Sequence, residues 1–366
     1  MVNGVSAFKH GGNLYAKIRE TGGCLSEILD FSANINPLGI SDNIQQALHE
    51  SLESIIHYPD AEAYALKKAI SQHYLVDYEL VTAGNGAVEL MYILCHILAP
   101  GRVLVTAPTF SEYECAARAS GAMVEYFYLN EYDGFTINIQ ALIQQLNEVD
   151  VVFICNPNNP TGTLLTNKQL EMLLQAAKEK NSYVVIDESF IDFLSDAAMY
   201  TCRHLLTQYD NLIILHSLTK FYAVPGLRLG FSLASPVITA MLHAGKDPWN
   251  VNSLAQAAGV VALSDSNYQN LSREFIAKTK IELYNDLLTV RGLKPYLPSV
   301  NFILVNIKET AVTAGELRKI MADHNILIRD CSNYPGLSSE YIRTAVKHTE
   351  QNTILINTLR KVLGGI

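Results

Sequence analysis

The sequence predicts an α/β protein: a large domain whose mostly parallel central sheet is flanked by helices, followed by a smaller α/β C-terminal domain. Three observations lead there. Val151-Val152-Phe153-Ile154-Cys155, Tyr183-Val184-Val185-Ile186 and Leu212-Ile213-Ile214-Leu215 are apolar without alternation, as strands covered on both faces are. Leu90, Met91, Leu94, Ile97 and Leu98 instead repeat at the helical period, so strands and helices alternate along the chain. The length of 366 residues suits roughly two domains. We expect an arm over residues 1–40, a large domain over 41–260 and a small domain over 261–366.

Taken in order, residues 1 to 39 read as an extended arm, because glycines, asparagines and Pro37 interrupt His10-Gly11-Gly12-Asn13 and the stretch Asp30 to Gly39. Ser41 is suited to cap a helix reaching about Ile56. His57-Tyr58-Pro59-Asp60 breaks it, and a second helix runs from about Ala63 to Tyr74. A strand then enters Gly84-Asn85-Gly86-Ala87 and the striped helix; such a glycine turn at a helix N-terminus offers backbone N–H groups to an anion. Arg102 to Val105 reads as a strand, with Tyr113 shortly beyond as an aromatic that could stack on a flat ring. Long helices are expected up to about Arg291. Three C-terminal strands follow, around Asn301–Val305, Ile326–Arg329 and Tyr341–Val346.

Composition narrows the function. Hydrophobic residues make up 49% and charged residues 17%, enough for a sizeable core. A net charge of −9 without basic runs argues against nucleic acid or an anionic membrane surface as a partner, so an anionic substrate needs a local basic pocket. The six cysteines stand singly and the histidines show no ligand spacing, which predicts neither disulfides nor a metal site, and a reducing, cytoplasmic setting.

The chemistry concentrates just past three strand ends, where parallel sheets bind ligands. Asn159 lies in the loop Asn156-Pro-Asn-Asn-Pro-Thr-Gly162, Asp187 ends the next strand, and Ser217-Leu218-Thr219-Lys220 follows the third. A nucleophilic lysine needs a lowered pKa, from desolvation or a neighbouring cation, and Arg228 stands eight residues on. Ser217, Thr219 and Arg228 together make a phosphate cradle, and phosphate beside a reactive lysine suggests pyridoxal phosphate. Asp187 would hold the pyridine nitrogen protonated, and the Asn159 amide could donate to the 3-hydroxyl.

This assembled set resembles the fold-type I pyridoxal-phosphate enzymes of the aminotransferase family, over nearly the whole chain. Longer strings, the His10-Gly-Gly-Asn start, Asp30 to Gly39, Ser217 to Gly226 and Ile328-Arg-Asp-Cys-Ser-Asn-Tyr-Pro-Gly336, are similar to its threonine-phosphate decarboxylase branch, which makes the aminopropanol phosphate linker of cobalamin. The resemblance implies Lys220 as Schiff-base lysine and proton shuttle, and Asp187, Asn159 and Tyr113 around the cofactor ring. It implies Gly84, Asn85, Gly86, Ala87, Ser217, Thr219 and Arg228 around the phosphate. Tyr58 would come from the neighbouring subunit of a homodimer with shared sites. Arg343 would meet the substrate carboxylate, with His10, Asn34 and Arg329 on the rest of a phosphorylated amino acid. Phe190 departs from the family's usual tyrosine and cannot donate to the 3-hydroxyl. Serine-phosphate decarboxylation, histidinol-phosphate transamination and a non-catalytic cofactor-binding regulator are the alternative expectations; the regulator would need an appended module.

Overall fold

The computed structural model describes residues 11–21 and 24–364. The chain divides into two compact units. One comprises residues 38–159 and 163–275, the other residues up to 37, 160–162 and those from 276 onward. The expected boundary at 260 therefore moves to 275, inside the helix Ser266–Leu288. That helix runs 23 residues without a break, so nothing in its composition marks the division.

The larger unit is built on a seven-stranded sheet. Its order is Val81–Gly84, Gly230–Ala234, Leu212–Ser217, Tyr183–Asp187, Val151–Cys155, Arg102–Ala107, Met123–Tyr128. The last five are mutually parallel, and only Gly230–Ala234 runs against its neighbours. The three apolar runs form adjacent strands buried along almost their full length, as their lack of alternation requires. Leu90, Met91 and Leu94 of the helix Ala87–Leu98 pack into one core cluster with Val105, Phe153, Val185, Ile213 and Leu215. Met123–Tyr128 and Gly230–Ala234 go beyond the sequence reading. The first is an edge strand with half its residues partly exposed, and the second carries a glycine and a serine, so neither shows a plain apolar run.

Ser41 caps the helix Asp42–Ser51 through its Oγ, which accepts from the Ile44 N–H at 3.3 Å; the expected continuation to Ile56 is a tighter 3-10 turn, Leu52–Ile56. The next helix is Tyr64–Tyr74.

In the smaller unit a four-stranded antiparallel sheet has the order Arg329–Asp330, Tyr341–Ala345, Phe302–Asn306, Lys294–Pro295. The N-terminal stretch is not wholly irregular, contrary to expectation. Leu14–Thr21 is helical, its eight residues free of glycine and proline, and Leu29–Asp30 pairs in parallel with Ile326–Leu327. Among the described residues no helix is long and apolar enough to cross a membrane, and no group of three acidic, histidine or cysteine side chains is arranged to hold a metal ion.

Candidate active site

Asn159, Asp187 and Lys220 lie at or just past the carboxyl ends of three neighbouring parallel strands in the larger unit. Lys220 sits in a single helical turn, Leu218–Phe221, entered directly from its strand. Its Nζ donates to the Ser217 Oγ at 2.9 Å, and that hydroxyl lies 2.8 Å from the Thr219 Oγ1. Burial lowers the lysine pKa, Asp187 opposes that, and the Arg228 charge lowers it further. A lowered pKa is what a nucleophilic or proton-carrying amine needs. Phe190 lies below it, its ring centre 6.0 Å from Nζ, and brings no hydroxyl.

Asp187 is buried, and both carboxylate oxygens are engaged. Oδ1 accepts the Ser189 N–H at 2.9 Å and Oδ2 accepts the Tyr113 hydroxyl at 2.7 Å. This overturns the expectation that Tyr113 stacks on a ring. Tyr113 is 0% exposed, and its ring lies against Phe153 at 5.2 Å and 12°. As the second residue of the helix Glu112–Ala119 it turns back over the strand ends, where it orients the carboxylate. The half-buried aromatic beside it is Phe110, edge-on at 5.7 Å, which suits it to the stacking role. Sequence reasoning passed over Phe110, although it too stands just past its strand. Burial pushes the nearby Cys155 thiol up to about 12, so it stays protonated and is no rival nucleophile.

The asparagine-rich loop divides its labour. Asn156 bonds the Leu165 and Tyr200 carbonyls and the Leu165 N–H, and Asn158 bonds the Pro108 carbonyl and Thr109 hydroxyl. Both hold the loop's shape, and Asn159, the expected partner of the cofactor's 3-hydroxyl, is buried beside them. Glu188, next to Asp187 in the chain, is turned away from solvent. It is fully buried, accepting from the Thr201 hydroxyl and Cys202 N–H with Arg203 at 3.5 Å.

The Gly84–Ala87 turn lies beside Arg228. Gly86 has φ +83°, and a Cβ there would stand 2.5 Å from the Arg228 Nη2. Arg228 itself is left-handed at φ 57°, an uncommon conformation for a side-chain-bearing residue and one that turns up at ligand clamps. The Asn85 N–H is already given to the Glu89 carboxylate at 2.7 Å, so Asn85 contributes shape rather than a free backbone donor. Gly230 closes the cradle from behind: a Cβ there would sit 2.5 Å from the Ala87 N and 2.7 Å from the His216 O. Backbone cannot yield as a flexible side chain can. Gly230→Ala is therefore expected to destabilise the apoprotein by about 1–3 kcal/mol and to weaken cofactor binding, read from melts with and without pyridoxal phosphate.

Tyr58 does not join this cluster. It is 78% exposed and stacks on Trp249 with ring centres 4.4 Å apart.

The smaller unit holds the remaining candidates. Arg329 and Arg343 are 8% and 5% exposed and directly opposite each other across an antiparallel pair, so they share a face of the sheet. Arg343 donates to the Ser32 carbonyl at 2.8 Å and lies over the Phe302 ring. Arg329 donates to the Asn333 Oδ1 at 2.8 Å and lies over Tyr334. Asn34 is buried, and its carbonyl accepts the Asn301 amide at 3.0 Å. His10 lies outside the described residues.

A lysine of lowered pKa, a buried carboxylate on the adjacent strand and a glycine turn packed on an arginine are the parts a phosphorylated pyridine aldehyde requires. The residues present fit that group. The sequence profile of the aminotransferase class I and II family matches residues 26–359, and the chain belongs to that family. It is a pyridoxal-phosphate enzyme of fold type I. Within the family it is similar to the threonine-phosphate decarboxylase of Salmonella typhimurium, 36% identical over 98% of this chain and 97% of that one. Among solved structures, histidinol-phosphate aminotransferase of Clostridium acetobutylicum matches at 31% identity and TM-score 0.87, covering 93% of this chain and all of that one. L-threonine-O-3-phosphate decarboxylase of Porphyromonas gingivalis matches at 28% identity and TM-score 0.82, covering 92% and 100%.

Proposed function

We propose that the protein decarboxylates L-threonine O-3-phosphate to (R)-1-amino-2-propanol phosphate and carbon dioxide, the amino alcohol phosphate serving as the cobalamin nucleotide-loop linker. The observation that carries the substrate class is the arginine pair. Two largely buried arginines directly opposite in one sheet put two cationic side chains on one face of it. Two fixed donors of this kind suit a ligand bearing two separate anionic groups, and a phosphorylated amino acid is such a ligand. The similarity to the Salmonella decarboxylase supports the reaction.

Pyridoxal phosphate, when bound, supplies the electron sink for the bond to the departing carboxylate. Asp187 would keep the proton on the ring nitrogen, and Tyr113 and Ser189 hold its carboxylate in place. Ser217, Thr219, Arg228 and the Gly84–Ala87 turn would hold the cofactor phosphate, and Asn159 would serve the 3-hydroxyl. With phenylalanine at 190, that oxygen lacks a second donor worth about 0.5–1.5 kcal/mol. Lys220 returns the proton to Cα after carbon dioxide leaves. A tight bidentate clamp on the departing carboxylate would stabilise the ground state and oppose its loss. The substrate phosphate is therefore the main anchor, held by Arg329 with Asn34, and the Arg343 contact to the carboxylate is the looser one.

This assignment predicts asymmetric kinetics. Arg329→Gln should raise KM for threonine phosphate by about 10- to 100-fold, as expected for losing a charge-assisted pair, with kcat changed less. Arg343→Gln should raise KM by less. The test of the function itself is parallel turnover on threonine phosphate, serine phosphate and histidinol phosphate. Carbon dioxide from the first supports the reading, and keto acid formed only with an added 2-oxo acceptor would replace it with transamination. Serine phosphate lacks one methyl, worth about 1–3 kcal/mol of discrimination.

The assembly we propose is a homodimer sharing its sites. Leu52, Ile55, Ile56, Tyr58 and Tyr64 lie exposed within thirteen residues, with Ile56 at 80% and Trp249 stacked on Tyr58. A run of large apolar side chains of this kind marks an interface, and a second copy that receives Tyr58 would cover it. Sedimentation velocity tests this, a monomer at micromolar concentration being the contrary result.

A further inference from the structure

The loop between the helices Pro236–Gly245 and Ser253–Ser264 is bonded to residues beside both turns of the cradle. Asn250 donates through Nδ2 to the Glu89 Oε2 at 2.7 Å and to the Ala83 carbonyl at 3.3 Å. Its Oδ1 accepts from the Lys246 Nζ at 3.0 Å, which fixes the orientation of the amide. The same Glu89 oxygen accepts the Asn85 N–H, in the middle of the glycine turn. Asn252 donates to the Leu227 carbonyl at 3.1 Å, next to Arg228. At its other end the loop is anchored to the Tyr58–Asp60 segment: Trp249 stacks on Tyr58, and Gln256 bridges the Val251 and Asp60 carbonyls at 2.9 Å each.

A carboxylate close to a phosphate-binding turn opposes the anion it is meant to receive. Glu89 therefore needs a reason to be there, and its bonding supplies one. Two N–H groups converge on one of its oxygens, and one of them belongs to the turn. Without that bond a turn built on glycines would be free to sample other shapes.

We propose that Asn250, acting through Glu89, is a positioning residue for the cofactor phosphate, and that the Lys246–Asn252 loop fixes both the glycine turn and the Arg228 turn in their binding shape before the cofactor arrives. This rests on reading those turns as the phosphate cradle. Preorganisation of this kind shows in affinity, because an unheld turn must be ordered at the moment of binding.

The experiment titrates apoprotein with pyridoxal phosphate by absorbance and follows the 31P resonance of the bound cofactor. Asn250→Ala is expected to raise the dissociation constant about tenfold and to shift the 31P line. Glu89→Ala should do the same, and Glu89→Gln, which keeps an acceptor oxygen, should recover most of the loss. The double alanine variant should cost little more than either single one, since both break the same relay. Should Asn250→Ala fail to fold, Asn250→Asp keeps the shape and the Lys246 contact while removing the donor and opposing two carboxylates. It should lose affinity at neutral pH and regain part of it as pH falls. Wild-type affinity in the folded Asn250 variants, or fully additive losses in the pair, overturns the proposal. Wild-type protein that fails to bind pyridoxal phosphate would instead overturn the reading of the cradle.

Discussion

Lys220→Met is expected to abolish carbon dioxide release while leaving a folded protein. Proton transfer by a positioned group contributes about 10²–10⁴-fold by itself, and the covalent attachment is lost with it. Borohydride should fix the cofactor to the Lys220 peptide of the wild type and to no peptide of the variant. A stability signature accompanies the loss. Burial first, then the Arg228 charge, lower the Lys220 pKa against the opposing pull of Asp187. Between that lowered value and the ordinary 10.5 the unfolded chain binds more protons at this site than the folded one, so the site's contribution to stability rises with pH across that window. Methionine carries no such penalty. The variant apoprotein should therefore melt above wild type near neutral pH, and the gain should fade as pH approaches 10.5. Equal melting temperatures at all pH values, or a trapped cofactor elsewhere in the chain, would show that this amine is not the desolvated nucleophile.

How far the sequence could be read followed how local each signal is. Val151–Cys155, Tyr183–Asp187 and Leu212–Ser217 announce themselves because both faces are buried, and so do the groups at or within four residues of their ends. The edge strand Met123–Tyr128 and the reversed strand Gly230–Ala234 carry no such run. They are strands by virtue of what they pair with. The short helix Leu14–Thr21 was hidden by the glycines on either side of it.

The site follows the same division. Lys220, Asp187 and the glycine turn are motifs, and their chemistry is legible in residue type and spacing. Tyr113 is not. That it donates to Asp187 rather than lying on a ring depends on which way one helix leaves the sheet, a tertiary fact. Glu89 and Asn250 are 161 residues apart and meet only in the fold. The opposition of Arg329 and Arg343 likewise comes from strand register, although both arginines could be picked out singly.

Asp187 should show the second large effect, and its pairing with Tyr113 makes the effect diagnostic. Asp187→Ala removes the only charge proposed to hold the ring nitrogen protonated. The expected loss is about 10²–10³-fold in kcat, the size of deleting one preorganised electrostatic contact to a developing charge, with KM changed far less. Tyr113→Phe keeps the carboxylate and deletes one hydrogen bond to it, worth about 1.5–3 kcal/mol for a charged acceptor. Were Tyr113 instead a stacking partner of the cofactor ring, phenylalanine would serve almost as well and kcat would hardly move. A fall of about tenfold or more in Tyr113→Phe, absent when Asp187 is already alanine, would therefore place the hydroxyl's contribution in the carboxylate it orients. The same loss in both backgrounds would mean that Tyr113 works independently of Asp187, and the geometry at the end of the Tyr183–Asp187 strand would need another explanation.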